Sequence, residues 1–331
     1  MKTKILQILR QSGDYVSGQE LCDSLGVSRT AVWKAIKQLR EKGYEIEAVQ
    51  NRGYRLAAVP DVLSQQEIES LIRTKWLGHE VFYYEEIDST NTEAKRKAEE
   101  GAPHGTLVVA DMQKAGRGRR GRSWSSPHNQ GIFFTILLRP EIEPANAPML
   151  TLVKAIAVAR GISKITGLEA QIKWPNDVVI NGKKVVGILT EMSAQIDYVN
   201  HIVIGTGINV HQTSFPEELA DKATSIDLEL KNAGKTGTVS RAQLLEEILE
   251  QFEECYETYI RTQDLSGLIE EYNRTLVNIG RRVKVLDPLG EFEGCALGIN
   301  KHGSLLVERE DGEITEISSG EVSVRGIYGY V

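Results

Sequence analysis

Apolar residues at Ile5, Leu6, Ile8 and Leu9 fall on one face of a helix, so the chain opens with a short amphipathic helix. In "SGQEL", Ser17 and Glu20 stand in the S-x-x-E relation of a capping box and predict a second helix. A turn at Gly26, Ser28 as the next N-cap, and Val27 with Val32 as a hydrophobic staple predict a third. Its inward stripe is read as Val32, Trp33, Ile36 and Leu39, which leaves Arg29, Thr30, Lys34 and Lys37 outside. After Gly43 the period changes: "YEIEAVQNRGYRL" alternates into a strand, a turn at Asn51-Arg52-Gly53 and a returning strand.

Pro60 interrupts, and Ser64 with Glu67 forms another capping box, so a second domain is expected to begin near residue 64. Within it "VFYYEEIDSTNTEAKRKAEEG" runs from a strand into a helix through Asp88, Ser89, Thr90 and Asn91. The strands "TLVVADMQ" and "GIFFTILLRP" follow, then "QIKWPNDVVINGKKVVGILTEM", with a turn at Pro175-Asn176-Asp177 and a type I′ hairpin signal at Asn181-Gly182. Period-2 alternation points Lys183 and Lys184 to opposite faces, so one of them can enter a site. "HIVIGTGINV" ends in glycines that let backbone approach a ligand closely. A long amphipathic helix, "SRAQLLEEILEQFEECYETYI", precedes short alternating runs from about Gly280 that imply a small β-barrel. The expected chain is α+β in three parts: a winged helix-turn-helix over 1–60, a central mixed α/β domain over 64–275, and a small barrel over 276–331.

Composition sharpens this division. At 331 residues and 41% hydrophobic content the chain exceeds the usual size of one core. No apolar run reaches the roughly 18 residues needed to span a bilayer, and the N-terminus is no signal peptide, which implies a cytoplasmic protein without a membrane role. Cys22, Cys255 and Cys295 are scattered and in no ligand spacing; they read as buried small hydrophobes. Residues 1–60 hold 10 Lys+Arg against 6 Asp+Glu, a net +4 that leaves −11 for the rest of a chain at −7. A basic third helix after a Gly turn, followed by a hairpin tipped by Arg52, fits DNA binding. Ser28, Arg29, Thr30, Lys34, Lys37 and Arg52 are its candidate contacts.

Between two strands lies "AGRGRRGRSW", residues 115–124, with four arginines and three glycines. Glycine denies the loop a fixed conformation and its arginines repel one another, so the empty loop is expected to be mobile and to be ordered by an anion. It is neither a Walker A loop nor a dinucleotide fingerprint. An Arg/Gly RNA-binding tether is the alternative, against which stands its position inside a folded domain. Ser-Thr-Asn before a helix is commonly an N-cap, and paired lysines beside a turn are commonly solvated edge charges; each acquires a role only with its neighbours.

Taken in order, "DSTN", "GRGRRGRSW", "KWPND", "GKKVVGIL" and "GTGINV" resemble the biotin–protein ligases over nearly the whole chain. The preceding winged helix makes it similar to the bifunctional class, which both ligates biotin and represses the biotin operon. The resemblance implies that biotin's carboxylate attacks the α-phosphate of ATP, giving biotinyl-5′-AMP and pyrophosphate, and that an acceptor lysine then attacks the mixed anhydride. Arg119 and Lys184 are then catalytic. Ser89, Thr90, Asn91, Gln113, Gly116, Arg117, Gly205 and Gly207, with Arg119 and Lys184, bind biotin. Arg117, Arg119, Arg122, Trp124, Lys173, Asn176, Asn209 and Arg325 bind the nucleotide, Trp124 by stacking on adenine. The central domain is the ligase domain, the C-terminal one an SH3-like barrel, and magnesium arrives with ATP. Implied partners are biotin carboxyl carrier protein or another biotin-accepting domain, the operator of biotin genes, and a second copy of the chain once biotinyl-5′-AMP, the corepressor, is bound. Two further alternatives are a repressor without ligase activity, which the Arg loop and hairpin lysine argue against, and a lipoate or other acyl-adenylating ligase.

Overall fold

A computed structural model of the protein describes residues 1–286, 290–318, 323–326 and 330–331, the side chains of 323–326 excepted. It divides into two compact units, Met1–Arg73 with Ser240–Glu246, and Thr74–Val239 with Glu247–Val331.

In the first unit, helices α1 (Lys2–Ser12), α2 (Gly18–Leu25) and α3 (Arg29–Glu41) precede an antiparallel hairpin of β1 (Glu45–Val49) and β2 (Gly53–Ala58), and α4 (Gln65–Leu71) follows. The caps sit where the sequence puts them: the Ser17, Ser28 and Ser64 hydroxyls accept from the backbone N–H groups of Glu20, Ala31 and Glu67. Ile5, Leu6, Leu9, Val32, Ala35, Ile36 and Leu39 form one core. Trp33 departs from expectation: it is 57% exposed. Burial of Val32, Ala35, Ile36 and Leu39 centres the inward face so that position 33 turns outward, beside Lys37, whose Nζ lies 5.7 Å from the Trp33 ring.

The boundary expected near residue 64 also moves, because α4 belongs to this unit. The cause is a buried carboxylate. Glu67 is 1% exposed, is ion-paired with Arg10 of α1, and accepts from the Tyr44 hydroxyl at 2.7 Å. Burying that charge unpaired would cost several kcal/mol, so α4 goes where its cation is. Buried Arg241 is fixed in the same unit by Asp61 at 2.7 Å.

The second unit is built on a seven-stranded sheet. Its elements in chain order are β3 (Val81–Ile87), α5 (Thr90–Glu99), β4 (Thr106–Gln113), β5 (Gly131–Leu138), α6 (Met149–Thr166), β6 (Gln171–Lys173), β7 (Asp177–Ile180), β8 (Lys183–Ala194) and β9 (Val199–Asn209). The strand order is β3-β4-β5-β9-β8-β7-β6, parallel between β3 and β4 and antiparallel elsewhere. Helix α5 lays Ala94 and Ala98 on Val108, Leu137 and Val203, covering one end of one face. The opposite face carries α6, apolar nearly all round, joined at Thr151 to Thr190 at 2.8 Å.

Beyond β9 come α7 (Ile226–Asn232), α8 (Arg241–Thr262) and α9 (Ile269–Thr275), then β10 (Arg282–Leu286), β11 (Phe292–Ile299), β12 (Leu305–Glu308), β13 (Ile314–Ile317) and β14 (Ser323–Gly326). These last five form an antiparallel sheet ordered β13-β12-β11-β10-β14. Among the described residues its two end strands are not paired with each other, so the expected small barrel is seen as a sheet with two edges. Fully buried Trp174 donates its ring N–H to Gly303 at 3.0 Å. Cys22 and Cys255 are buried, as expected of small hydrophobes, while Cys295 is half-buried; all three are free thiols. Among the described residues no helix is long and apolar enough to cross a membrane.

Candidate functional site

The face of the sheet beyond α5 is where the expected residues gather. Ser89 is the N-cap of α5, yet its hydroxyl makes no capping bond and is therefore not consumed by the helix. Asp88 braces the join: one oxygen accepts the Ser89 N–H at 2.7 Å and the other the Arg96 guanidinium at 2.9 Å. Thr90 donates its N–H and hydroxyl to the Gln113 carbonyl oxygen at 2.9 and 3.1 Å, and the Gln113 amide donates to Ser126 at 2.9 Å. The Thr135 hydroxyl lies 2.7 Å from Asn91 Oδ1 and 2.9 Å from Thr90 Oγ1. The Asn91 amide donates to Glu191 at 2.8 Å. Burial pushes the Glu191 carboxyl up, but bonds from Lys95 and Asn91 outweigh it and hold the group below the usual carboxylate range.

Glycine makes this arrangement sterically possible. A Cβ on Gly205 would sit 2.1 Å from Asn91 Oδ1, and one on Gly207 would sit 2.5 Å from Trp124 Nε1. We expect Gly205→Ala to lower stability by about 1 to 3 kcal/mol, because Asn91 must leave the Thr135–Glu191 network. Urea unfolding beside the parent checks this, and an unchanged midpoint would show that Asn91 moves freely.

Lys184 reaches the same surface through a β-bulge. Val178 pairs with Val186, but Val179 pairs with Lys184, leaving Val185 as the extra residue. Strict alternation from Gly187 would put Val185 on the site face; the bulge puts Lys184 there instead, its Nζ 3.3 Å from where a Gly187 Cβ would be. That Nζ lies 2.6 Å from Asp177 Oδ1 and 5.3 Å from the Trp124 ring. Lys183 points away, donating to the Ala220 carbonyl at 3.0 Å. Asn181 and Gly182 both have positive φ, 50° and 76°, as a type I′ turn requires.

The arginine loop carries backbone bonds of its own. It folds back on itself, with Gly118 N–H donating to Arg122 O at 2.7 Å and Trp124 N–H to Gly116 O at 2.9 Å. Arg117, Arg120 and Arg122 are exposed, whereas Arg119 is half-buried and donates to Asn176 Oδ1 at 2.9 Å. Burial pulls the Arg119 guanidinium below its usual range against the opposing pull of Asp177. Two cations from separate elements, Arg119 and Lys184, thus converge on the Asn176-Asp177 turn.

Other expected residues are placed less directly. Lys173 is buried with its ammonium 3.3 Å from the centre of the Tyr330 ring. Asn209 is buried and bonded through both ends of its amide, to Thr224 O at 3.1 Å and from Gln212 at 3.2 Å. Arg325 pairs with Lys284 through the backbone, and its side chain lies outside the described residues. Sequence reasoning passed over Asp177, Thr135 and Glu191. Asp177 stands in the Pro175-Asn176-Asp177 turn, which was the signal available, and the structure sets it opposite Gly187.

In the first unit, Arg29, Thr30, Trp33, Lys34 and Lys37 are exposed along α3, with Ser28 exposed at its cap. Arg52, at the hairpin turn, lies 4.3 Å over the Tyr15 ring and 3.7 Å from Asp14. A cleft of about 470 Å³ runs between helix and hairpin, lined by both Arg29 and Arg52.

Such a cationic face on a second helix-turn-helix helix, in a chain whose mixed sheet gathers cations over a glycine floor, defines a ligase class joined to a DNA-binding module. Sequence profiles agree: "HTH domain" matches residues 2–55, "Biotin/lipoate A/B protein ligase family" residues 83–209, and "Biotin protein ligase C terminal domain" residues 279–325. The chain is 42% identical to the Bifunctional ligase/repressor BirA of Bacillus subtilis over 98% of each chain. It is 32% identical to that of Escherichia coli over 97% of this chain and 96% of the other. The biotin protein ligase from Aquifex aeolicus, solved with biotin and ATP, superposes with a TM-score of 0.65 at 34% identity, covering 75% of this chain and 99% of that one. The chain therefore belongs to the biotin protein ligases, in their bifunctional ligase/repressor branch.

Proposed function

We propose that the protein joins biotin to ATP to make biotinyl-5′-AMP, passes the biotinyl group to an acceptor lysine, and represses biotin genes with the adenylate as corepressor. The observation that carries the catalytic half is the convergence of Arg119 and Lys184 on one turn beside a glycine floor. Two anions must meet there. Two like charges near a protein surface repel by about 4 kcal/mol at contact, and fixed cations offset that repulsion. A carboxylate oxygen of biotin forms the new bond to Pα as the bond from Pα to the bridging oxygen breaks and pyrophosphate leaves. In the second step the acceptor amine attacks the acyl carbon, AMP departs, and the amine loses its proton.

Lys184 and Arg119 neutralise the carboxylate and α-phosphate, while Arg117 and Arg122 close over the phosphates and Trp124 stacks on adenine. Ser89, Thr90, Asn91, Gln113 and backbone at Gly116, Gly205 and Gly207 take the biotin head group. Lys173, Asn176, Asn209 and Arg325 complete the nucleotide site. Magnesium arrives with ATP as the substrate MgATP, a nucleotide-borne ion that keeps several of its waters.

The helix-turn-helix and its hairpin over 1–60 bind the operator, the segment from Thr74 to about residue 275 performs ligation, and the five-stranded sheet within 276–331 completes that unit. The acceptor is biotin carboxyl carrier protein or a similar biotin-accepting domain, and the reactions are cytoplasmic. An adenylate bound under the like-charged arginine loop favours a homodimer that sets two recognition helices on a two-fold operator. Sedimentation unchanged by biotinyl-5′-AMP, at concentrations that bind operator, would remove that step.

ATP–pyrophosphate exchange with biotin, with lipoate and with neither tests the enzyme. Exchange dependent on biotin supports the reading, lipoate dependence moves the protein to another acyl-adenylating class, and no exchange removes the ligase. For the DNA half, the double variant Lys34→Ala/Lys37→Ala is expected to weaken operator binding about tenfold or more. It should also make the plot of log affinity against log salt shallower by about 2, one per lost phosphate contact. Fluorescence anisotropy over a salt series reads both, and an unchanged slope would mean that α3 does not face phosphate.

A further inference from the structure

The C-terminal residues reach the reacting end of the site. Tyr330 donates its hydroxyl to Asp177 Oδ2, while Asp177 Oδ1 accepts from Lys184 at 2.6 Å and from the Asn176 amide at 3.1 Å. The face of the same Tyr330 ring carries the Lys173 ammonium at 3.3 Å. Val331 packs beside the Asn181-Gly182 turn, its Cγ2 3.2 Å from the place a Gly182 Cβ would take. One aromatic side chain therefore touches both the carboxylate that holds Lys184 and the ammonium of Lys173.

We propose that Tyr330 is a positioning residue for adenylate formation, acting through Asp177 on Lys184 and directly on Lys173; this rests on the proposed role of those lysines. A carboxylate can accept from a cation with either oxygen or with both. With Oδ2 occupied by the Tyr330 hydroxyl, Lys184 pairs through Oδ1 alone and keeps N–H groups for the biotin carboxylate and α-phosphate. Without that hydroxyl, Oδ2 draws the ammonium into a two-oxygen pair and away from substrate. The ring acts separately, since a cation over an aromatic face is held in place, so Lys173 is set before the nucleotide arrives.

These two effects are separable by substitution. In ATP–pyrophosphate exchange on the full chain, Tyr330→Phe keeps the ring and loses the donor. Its kcat is expected to fall about tenfold, as for one hydrogen bond, with KM for ATP near the parent value. Tyr330→Ala loses both, so the same fall in kcat is joined by a rise of about tenfold in KM for ATP. Phe thus rescues KM and not kcat, a pattern that a purely packing role would not produce. Melting temperatures near the parent value establish that both variants are folded.

Parent-like kcat in Tyr330→Phe, or full rescue of both constants by Phe, overturns the assignment. Lys184→Ala run alongside separates the two levels. If Lys184→Ala loses exchange while Tyr330→Phe does not, the Tyr330 assignment alone falls. If Lys184→Ala exchanges at the parent rate, the underlying role of Lys184 falls with it.

Discussion

Lys184→Ala and Arg119→Ala are each expected to slow biotin-dependent ATP–pyrophosphate exchange by about 10²- to 10³-fold, the range seen when one preorganised charge-stabilising donor is removed. Neither change should unfold the protein. The Lys184 side chain is 25% exposed, and its loss leaves Asp177 bonded to Asn176 and Tyr330, so no buried charge is orphaned. Arg119→Ala frees Asn176 Oδ1, but the Asn176 amide keeps its bonds to Asp177 at 3.1 Å and Ile188 O at 3.1 Å. Each variant thus removes a cation from a turn that stays in place, which lets a rate be read as a lost charge. Lys184→Arg should not restore the rate, because a planar guanidinium cannot sit over Gly187 as a compact ammonium does. Exchange assays with melting curves test the pair, and parent-like turnover in either variant removes that residue from the mechanism.

How much of this was legible in the chain depends on the range over which each interaction acts. Capping serines and the Asn181-Gly182 turn are local, and they fall where their motifs put them. The choice of Lys184 over Lys183 followed from alternation together with family resemblance, but the device that delivers it did not. A bulge at Val185 depends on how β7 and β8 pair, which neither strand's own pattern records. Trp33 was misplaced because a bulky apolar residue beside Val32 reads as core, whereas the helix buries a stripe centred on Val32, Ala35, Ile36 and Leu39. Pro60 breaks the chain locally and suggests a boundary before α4, while the Glu67–Arg10 pair that decides its packing spans 57 residues. Asp177 and Tyr330, 153 residues apart, are the extreme case. Glycines and charges alone suggest a mobile arginine loop, and the backbone bonds at Gly116 and Gly118 that fold it back leave no compositional trace.

Lys154→Met is expected to make the protein more stable at neutral pH, by about 1 to 3 kcal/mol, the cost of a buried donor left without a partner. Lys154 on α6 is fully buried, its Nζ has no hydrogen-bond partner, and the Phe134 and Phe252 rings lie 4.4 and 4.8 Å away. Burial drives its pKa well below the ordinary lysine value, with a smaller opposing pull from Cys255. The Cys255 thiol is itself pushed up to about 12 by burial, so it offers no counter-charge at neutral pH. An unfolded chain carries this lysine as an ammonium up to a pKa of about 10.4. Between the depressed folded value and that one, unfolding takes up a proton, so stability rises with pH across the window and is lost as pH falls. Methionine has a similar length and no proton to gain, so the variant's advantage should be greatest at pH 7 and shrink as pH approaches 10. Urea unfolding of both proteins at pH 7 and pH 9.5 measures that difference. A variant less stable than the parent at pH 7 would show that the two aromatic faces hold the amine charged, and that cation–π attraction, not desolvation, governs this helix.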